Sequence, residues 1–224
     1  RDSIIMGYAL NSLGVAYRRL DDNQKAFQYH FEALGISKAI GNTRGRSIAL
    51  NSIGNIHLSL GNYKEAIEEF KQGLEIEENM HNPIGQAINY ANIGSAYEGL
   101  GQIDKAIDYY MKSLEYNTEG NSDKGIAICY NLLGEAYLKK GELDLALSYL
   151  QKAVSFNDKL RDRINVAQND ITIGKIYQKK NDQLKAMEYL NAGLSIAKII
   201  GSQSLAIDAY EAIGESERLA GKFN

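Results

Sequence analysis

The chain has one cysteine (Cys129) and one proline (Pro83) in 224 residues. A lone thiol excludes an intrachain disulfide and any zinc site built on cysteines. It fits a reducing compartment without requiring one. So little proline leaves room for long, unbroken helices. An excess of basic residues is also missing: the net charge is −3, so there is no cationic field for nucleic acid. No apolar run approaches the roughly 18 residues that would span a bilayer within this chain. No two of His30, His57 and His81 have the i, i+4 spacing of a helical zinc site. There is no phosphate-cradling GxxxxGK[ST] loop, no GxSxG elbow, and no acid pair set apart from surface charge. These absences point to a non-enzyme with no cofactor and no metal.

What is present is a period. Glycine recurs at Gly14, Gly54, Gly94, Gly134, Gly174 and Gly214, at a spacing of forty that never slips. Leu or Ile precedes each, and Tyr17, His57, Tyr97, Tyr137 and Tyr177 stand three positions on. Twelve positions after the glycine comes Ala26, Ala66, Ala106, Ala146 or Ala186. Apolar residues recur at helical spacing on both sides of a turn such as "GNYKEA". Each unit therefore reads as a helical hairpin, with a first helix of about 14 residues and a second of about 18 residues. A mid-helix glycine costs about 1 kcal/mol relative to alanine. Its recurrence implies that the two helices approach closely there, with the alanine as the matching small contact. A coiled coil would show a heptad repeat without regular glycines. His30 and His57 occupy core positions and read as packing residues, as do the tyrosines at Tyr109, Tyr149 and Tyr189. Cys129 reads as a small buried residue.

In the third unit, Tyr90, Ile93, Gly94, Tyr97, Gly101, Ala106, Tyr110 and Ser113 spell a phrase that resembles the tetratricopeptide repeat. The resemblance covers the whole chain. It implies an all-α fold, a right-handed α-solenoid (superhelix) of stacked antiparallel helix pairs forming a single array over residues 1–224. The repeats would span about 7–40, 47–80, 87–120, 127–160 and 167–200, with a partial repeat at 205–224. The family's usual period of 34 becomes 40 here, and its usual proline is replaced by Lys38, Glu78 and Thr118. This implies a longer second helix, as in Pins/LGN-type adaptors and in bacterial regulators of the Rap and PlcR type. Arg1-Asp2-Ser3-Ile4 aligns with Arg161-Asp162-Arg163-Ile164, and the closing "GKFN" with "GNYK" at 61–64. The sequence thus reads as an excerpt of a longer protein, and abundant Ile, Asn, Lys and Tyr point to an AT-rich bacterial genome.

The resemblance also places a binding groove on the first helices, at positions six and three before each glycine and one, four and five after it. The residues there are Tyr8, Asn11, Val15 and Arg18, then Ile48, Asn51 and Asn55, then Ile88 and Ser95. Ile128, Asn131 and Glu135 follow, and in the fifth unit Ile171, Lys175, Gln178 and Lys179. Asn11, Asn51 and Asn131 share one position, and an asparagine column can grip an extended peptide backbone because each side chain both donates and accepts. Asn11 and Asn51 also lie in near-duplicate phrases, which duplication alone explains. Arg18 and Arg19 at one end, and Lys139, Lys175 and Lys179 towards the other, suit acidic side chains or a terminal carboxylate. The expected partner is a protein or peptide, with self-association open. The alternative is a sensory input or dimerisation module whose kinase, cyclase or DNA-binding output lies outside this chain.

Overall fold

The computed structural model describes residues 2–221, apart from the side chains of residues 219 and 220. The described residues form eleven α-helices. Their contacts divide the chain into two compact units, residues 1–121 and 122–224. The first unit holds α1 (Asp2–Arg19), α2 (Asn23–Ala39), α3 (Thr43–Ser59), α4 (Tyr63–Asn79), α5 (Pro83–Gly99) and α6 (Ile103–Glu119). The second holds α7 (Asp123–Lys140), α8 (Leu143–Lys159), α9 (Arg163–Lys179), α10 (Gln183–Ile199) and α11 (Gln203–Ala220). Odd-numbered helices are the first members of hairpins and even-numbered ones the second. The closing Lys222-Phe223-Asn224, read above as leading into another helix, lies outside the described residues.

A residue with positive φ recurs every 20 positions, at Asp21, Gly41, Gly61, His81, Gly101, Asn121, Gly141, Arg161, Asn181 and Gly201. This left-handed backbone stops each of α1 to α10 and lets orphan carbonyls be satisfied. Two positions after Leu60, for example, the Asn62 N–H donates to the His57 carbonyl at 2.9 Å. The residue after the left-handed one then starts the next helix. Asp22, Asn42, Ser122, Asp162 and Asp182 each accept from a backbone N–H three positions on, the usual N-cap arrangement. Stop and start are thus packed into one short turn. The second helices, α2, α4, α6, α8 and α10, are long, as the missing proline implied. The first helices are equally long, where a shorter one was expected: α3, α5 and α9 match the second helices, and α1 and α7 exceed them by one residue. Segments such as "TRGRS" are polar because they form the first helical turn behind a cap.

The glycine positions are slots. A Cβ on Gly54 would lie 2.6 Å from the Phe70 ring, and one on Gly94 2.6 Å from the Tyr110 ring. Gly14 meets His30, Gly134 meets Leu150 and Gly174 meets Leu190 in the same way. The small contact is therefore paired with a large side chain one helical turn beyond the alanine, rather than with the alanine itself. The alanine enters through its carbonyl, 3.2 Å from the Cβ position of Gly94 at Ala106 and 3.1 Å from that of Gly174 at Ala186. Phe70, Tyr110, Leu150 and Leu190 are all at most 1% exposed. Burying such a side chain is worth about 1.5–3 kcal/mol, more than the roughly 1 kcal/mol the glycine costs its helix.

Hairpins stack through clusters that mix residues of neighbours. Within the first unit Leu34 joins Ala49, Leu50, Ile53 and Ile76, and Ala66, Ile67 and Phe70 join Ile93 and Ala96. Within the second, Ala146, Leu147 and Leu150 join Ile173 and Ile176, while Leu190, Leu194 and Ala197 join Leu205, Ala209 and Ala212. Each unit is thus an all-α stack of antiparallel helix pairs. Gly214 stands apart, because its Cβ would meet nothing within 4 Å among the described residues. Gly134→Ala is expected to lower stability by about 1–3 kcal/mol through overpacking. Gly214→Ala should raise it by up to about 1 kcal/mol through helix propensity. Urea unfolding of the two variants checks the opposite signs.

Candidate functional site

On the first helices, large apolar side chains are exposed at one register, six positions before the repeat glycine. Tyr8, Ile48 and Ile88 hold it in the first unit at 38, 37 and 48% exposure, and Ile128 holds it in the second at 46%. Arg18 and Glu135 are exposed, and Val15, Asn51, Asn55, Ser95, Asn131 and Lys175 are half-buried.

Two expected groove residues are elsewhere. Asn11 is 5% exposed, with its Oδ1 2.8 Å from Nδ1 of the fully buried His30. The imidazole fills the slot of Gly14, and its N–H draws the asparagine inward. Ile171 is 0% exposed and packs where a Cβ on Gly193 would otherwise sit, so that glycine admits it to the core.

The asparagine column links repeats. Asn51 Nδ2 donates to Asn89 Oδ1 at 3.4 Å, and Asn55 Nδ2 donates to Asn51 Oδ1 at 3.0 Å. In the second unit Asn169 Nδ2 donates to Asn131 Oδ1 at 2.8 Å. Gln178 Nε2 donates to Ser216 Oγ and to the Ala212 carbonyl, both at 2.6 Å. The Asn51–Asn89, Asn131–Asn169 and Gln178–Ser216 bonds each join successive first helices. Ser95 Oγ donates to the Ala91 carbonyl at 3.2 Å. Lys175 forms an ion pair with Asp208 and, with Gln178, Lys179, Glu211 and Glu215, lines a cavity of about 400 Å³. Lys175 and Lys179, two of the lysines expected to receive an acidic ligand, thus share this cavity with carboxylates of α11.

A second cavity, of about 180 Å³, opens between α3 and α5. Ile48, Asn51 and Ile88 line it with Ser47, Ser52, Gly85, Asn89 and Glu77. Glu77 is 6% exposed. The Ser47 hydroxyl donates to its Oε1, and Asn82 Nδ2 donates to its Oε2 at 2.7 Å. A Cβ on residue 85 would collide with Oε2, so Gly85 makes the room. Asn42, one repeat earlier, caps its own helix, but the Asn82 side chain makes no cap bond. An N-cap is typically worth about 1 kcal/mol, and here the asparagine serves the carboxylate instead. Glu77 escaped the sequence reading because it sits beside the apolar stripe of α4. Its signal was comparative: the register carries Ser37, Asn117, Asn157 and Ala197 in the other hairpins.

Other departures from the repeat also carry charge. Stacked tyrosines couple the helices of four hairpins, as Tyr17 with Tyr29, Tyr97 with Tyr109, Tyr137 with Tyr149 and Tyr177 with Tyr189. The tyrosines are therefore packing residues, as expected. His57 and Glu69 take those places in the second hairpin. His57 packs edge-on against Phe27, and burial pushes the Glu69 carboxyl above its ordinary range while the His57 and Lys38 charges pull it down. Cys129 is fully buried. Among the described residues no three His, Cys, Asp or Glu are placed to hold a metal, and no helix is long and apolar enough to cross a membrane.

Two buried groups set the response to pH. Burial, then the Arg18 charge, pushes His30 down to about 4. An unfolded imidazole titrates near 6.5, so the unfolded chain binds the extra proton between the two values. Stability should fall as pH drops from about 6.5 to about 4, and His30→Phe should flatten this limb of the thermal-unfolding profile. Asp170 is 7% exposed where other repeats carry Leu50, Tyr90 or Tyr130, and burial pushes it up to about 6. Its folded form keeps the proton, so its contribution is full below the unfolded value near 3.9 and lost as pH rises through about 6. Asp170→Asn is expected to stabilise the chain by about 2 kcal/mol at pH 7 and by little at pH 4, measured by urea unfolding at both.

The tetratricopeptide repeat model matches residues 6–79, 85–159 and 125–199. A search of curated protein sequences gave no match. Among solved structures, the chain resembles the signal transduction ATPase with numerous domains, carrying a tetratricopeptide repeat sensor, from Pyrococcus horikoshii. The TM-score is 0.83 at 20% identity, over 99% of this chain and 34% of that one. BtubC (BKLC) from P. vanneervenii gives 0.79 at 18% identity, over 89% and 83%. The Rap conjugation gene regulator of the plasmid pLS20, solved with the Phr* peptide, gives 0.74 at 18% identity, over 100% and 65%. At these identities the likeness is one of fold. With its forty-residue hairpins, its glycine slots and a family match over most of its length, the chain belongs to the tetratricopeptide repeat family.

Proposed function

We propose that the chain is a non-enzymatic binding module that holds a peptide or an extended protein segment against the exposed faces of its first helices. The observation that carries this reading is the recurrence of an exposed isoleucine at one register, Ile48 and Ile88 in the first unit and Ile128 in the second. Exposed apolar side chains placed in register and bordered by polar groups mark interaction surfaces. Half-buried Asn51 and Asn55 supply donors and acceptors on the helix that carries Ile48. A regulator of similar fold solved with a peptide bound lends support. The fold match to a protein with a repeat sensor, of which this chain spans about a third, favours a second reading in which the array is the input part of a larger signalling protein.

Ile48→Asp with Ile88→Asp tests the surface directly, because both side chains are exposed and the fold tolerates polar groups there. Burying what remains exposed of the two isoleucines is worth about 1.5–2.5 kcal/mol, each tenfold in affinity is about 1.4 kcal/mol, and a buried aspartate adds a desolvation cost. The double variant should therefore weaken binding of array-selected peptides at least tenfold while melting within a few degrees of the parent. Undiminished affinity would remove the first-helix face from the reading. Asn51→Ala is a poorer probe, since Asn51 also bonds to Asn89.

A further inference from the structure

We infer that the cavity between α3 and α5 selects a basic side chain, the ammonium of a lysine or the guanidinium of an arginine carried on the bound peptide. This rests on the peptide-binding reading above and specifies its ligand. Glu77 is a carboxylate at 6% exposure that lines the cavity. Buried charges are ordinarily paired. Its two partners, the Ser47 hydroxyl and the Asn82 amide, are neutral donors. Among the described residues no lysine, arginine or histidine forms an ion pair with it. The N-terminal turn of α5, where Gly85 leaves room for Oε2, adds only a partial positive charge.

The rest of the lining suits the same ligand. Ile48 and Ile88 border the cavity and remain exposed. The methylene stem of a lysine or arginine can lie along them while its head reaches the carboxylate, the ordinary way such side chains divide between apolar surface and charge. Asn51 and Asn89 offer amide groups beside that path. The surrounding charge has the matching sign: residues 1–121 hold 15 Asp and Glu against 11 Lys and Arg. A charge-assisted hydrogen bond from a basic head to Glu77 would complete a site that Ser47, Asn82 and Gly85 already orient. The other hairpins lack it, since Ser37, Asn117, Asn157 and Ala197 carry no charge at this register.

The test is selection of a random peptide display library on the whole chain, followed by affinity measurement with synthetic copies of the enriched peptides. A lysine or arginine flanked by aliphatic residues should recur among them. Replacing that residue by norleucine should weaken binding to the parent chain at least tenfold, and binding to Glu77→Gln no more than twofold. Glu77→Asn, which installs the side chain found at residues 117 and 157, should behave as Glu77→Gln does and keep the melting temperature. Enriched peptides without a recurring basic residue would overturn the inference while leaving peptide binding intact. So would a norleucine penalty of the same size in both Glu77 variants. A library that yields no binder would overturn the peptide-binding reading itself, and this inference with it.

Discussion

A large side chain pressed into a missing one holds each hairpin together. Phe70 on Gly54, Tyr110 on Gly94, Leu150 on Gly134 and Leu190 on Gly174 are versions of one contact. A glycine in mid-helix weakens that helix, so the contact survives only because burying the opposing group gives back more. The consequences run outward. Close approach fixes the rotation of one helix against its partner, which fixes the faces left for the next hairpin. Those faces form the shared clusters within each unit. Once rotation is repeated hairpin by hairpin, every side chain six positions before a glycine is presented alike. The exposed isoleucines follow from a contact on the far side of their helix.

Polar residues take a share of the stacking. Asn51 with Asn89, Asn131 with Asn169 and Gln178 with Ser216 join successive first helices at a sequence separation of 38, two short of the repeat. The offset reflects pairing between different turns of neighbouring helices. Against this regular background the exceptions are informative. His30 replaces an aromatic or aliphatic core group, Asp170 replaces a leucine or tyrosine, His57 and Glu69 replace stacked rings, and Glu77 replaces a neutral residue. Each puts an imidazole or a carboxyl where the other complete hairpins carry neither.

Most of the fold was legible because it is periodic. The glycine, the apolar residue before it and the alanine twelve on are strict, and strict recurrence in register is what stacking of identical units demands. First-helix length was misjudged, since the turn opening a helix behind its cap is polar and resembles a loop in sequence. The partner of the glycine was misjudged too: spacing names which residues recur, but not which of two recurring residues enters the slot. The exposure of Ile48, Ile88 and Ile128 was legible, whereas Asn11 and Ile171, expected on the same face, are buried. Both errors come from which residue fills a phrase position nearby, His30 where other repeats carry Phe70 or Tyr110, and Gly193 where the third carries Ser113. Glu77 was invisible to motif reading because its meaning lies in the contrast with four neutral residues, not in any local pattern.

The left-handed residue that closes each of α1 to α10 returns at intervals of 20 without one slip, and in five of its ten occurrences it is not glycine. Asp21, His81, Asn121 and Asn181 are among the types that tolerate that backbone best after glycine, whereas Arg161 carries a steric penalty. A one-residue insertion inside a helix would rotate everything beyond it by about 100°, more than a quarter of a turn. It would carry the slot away from its occupant and the cap away from its turn. Gain or loss of one whole repeat disturbs neither. Genetic change can thus lengthen or shorten such a chain freely by whole hairpins, and scarcely at all by single codons.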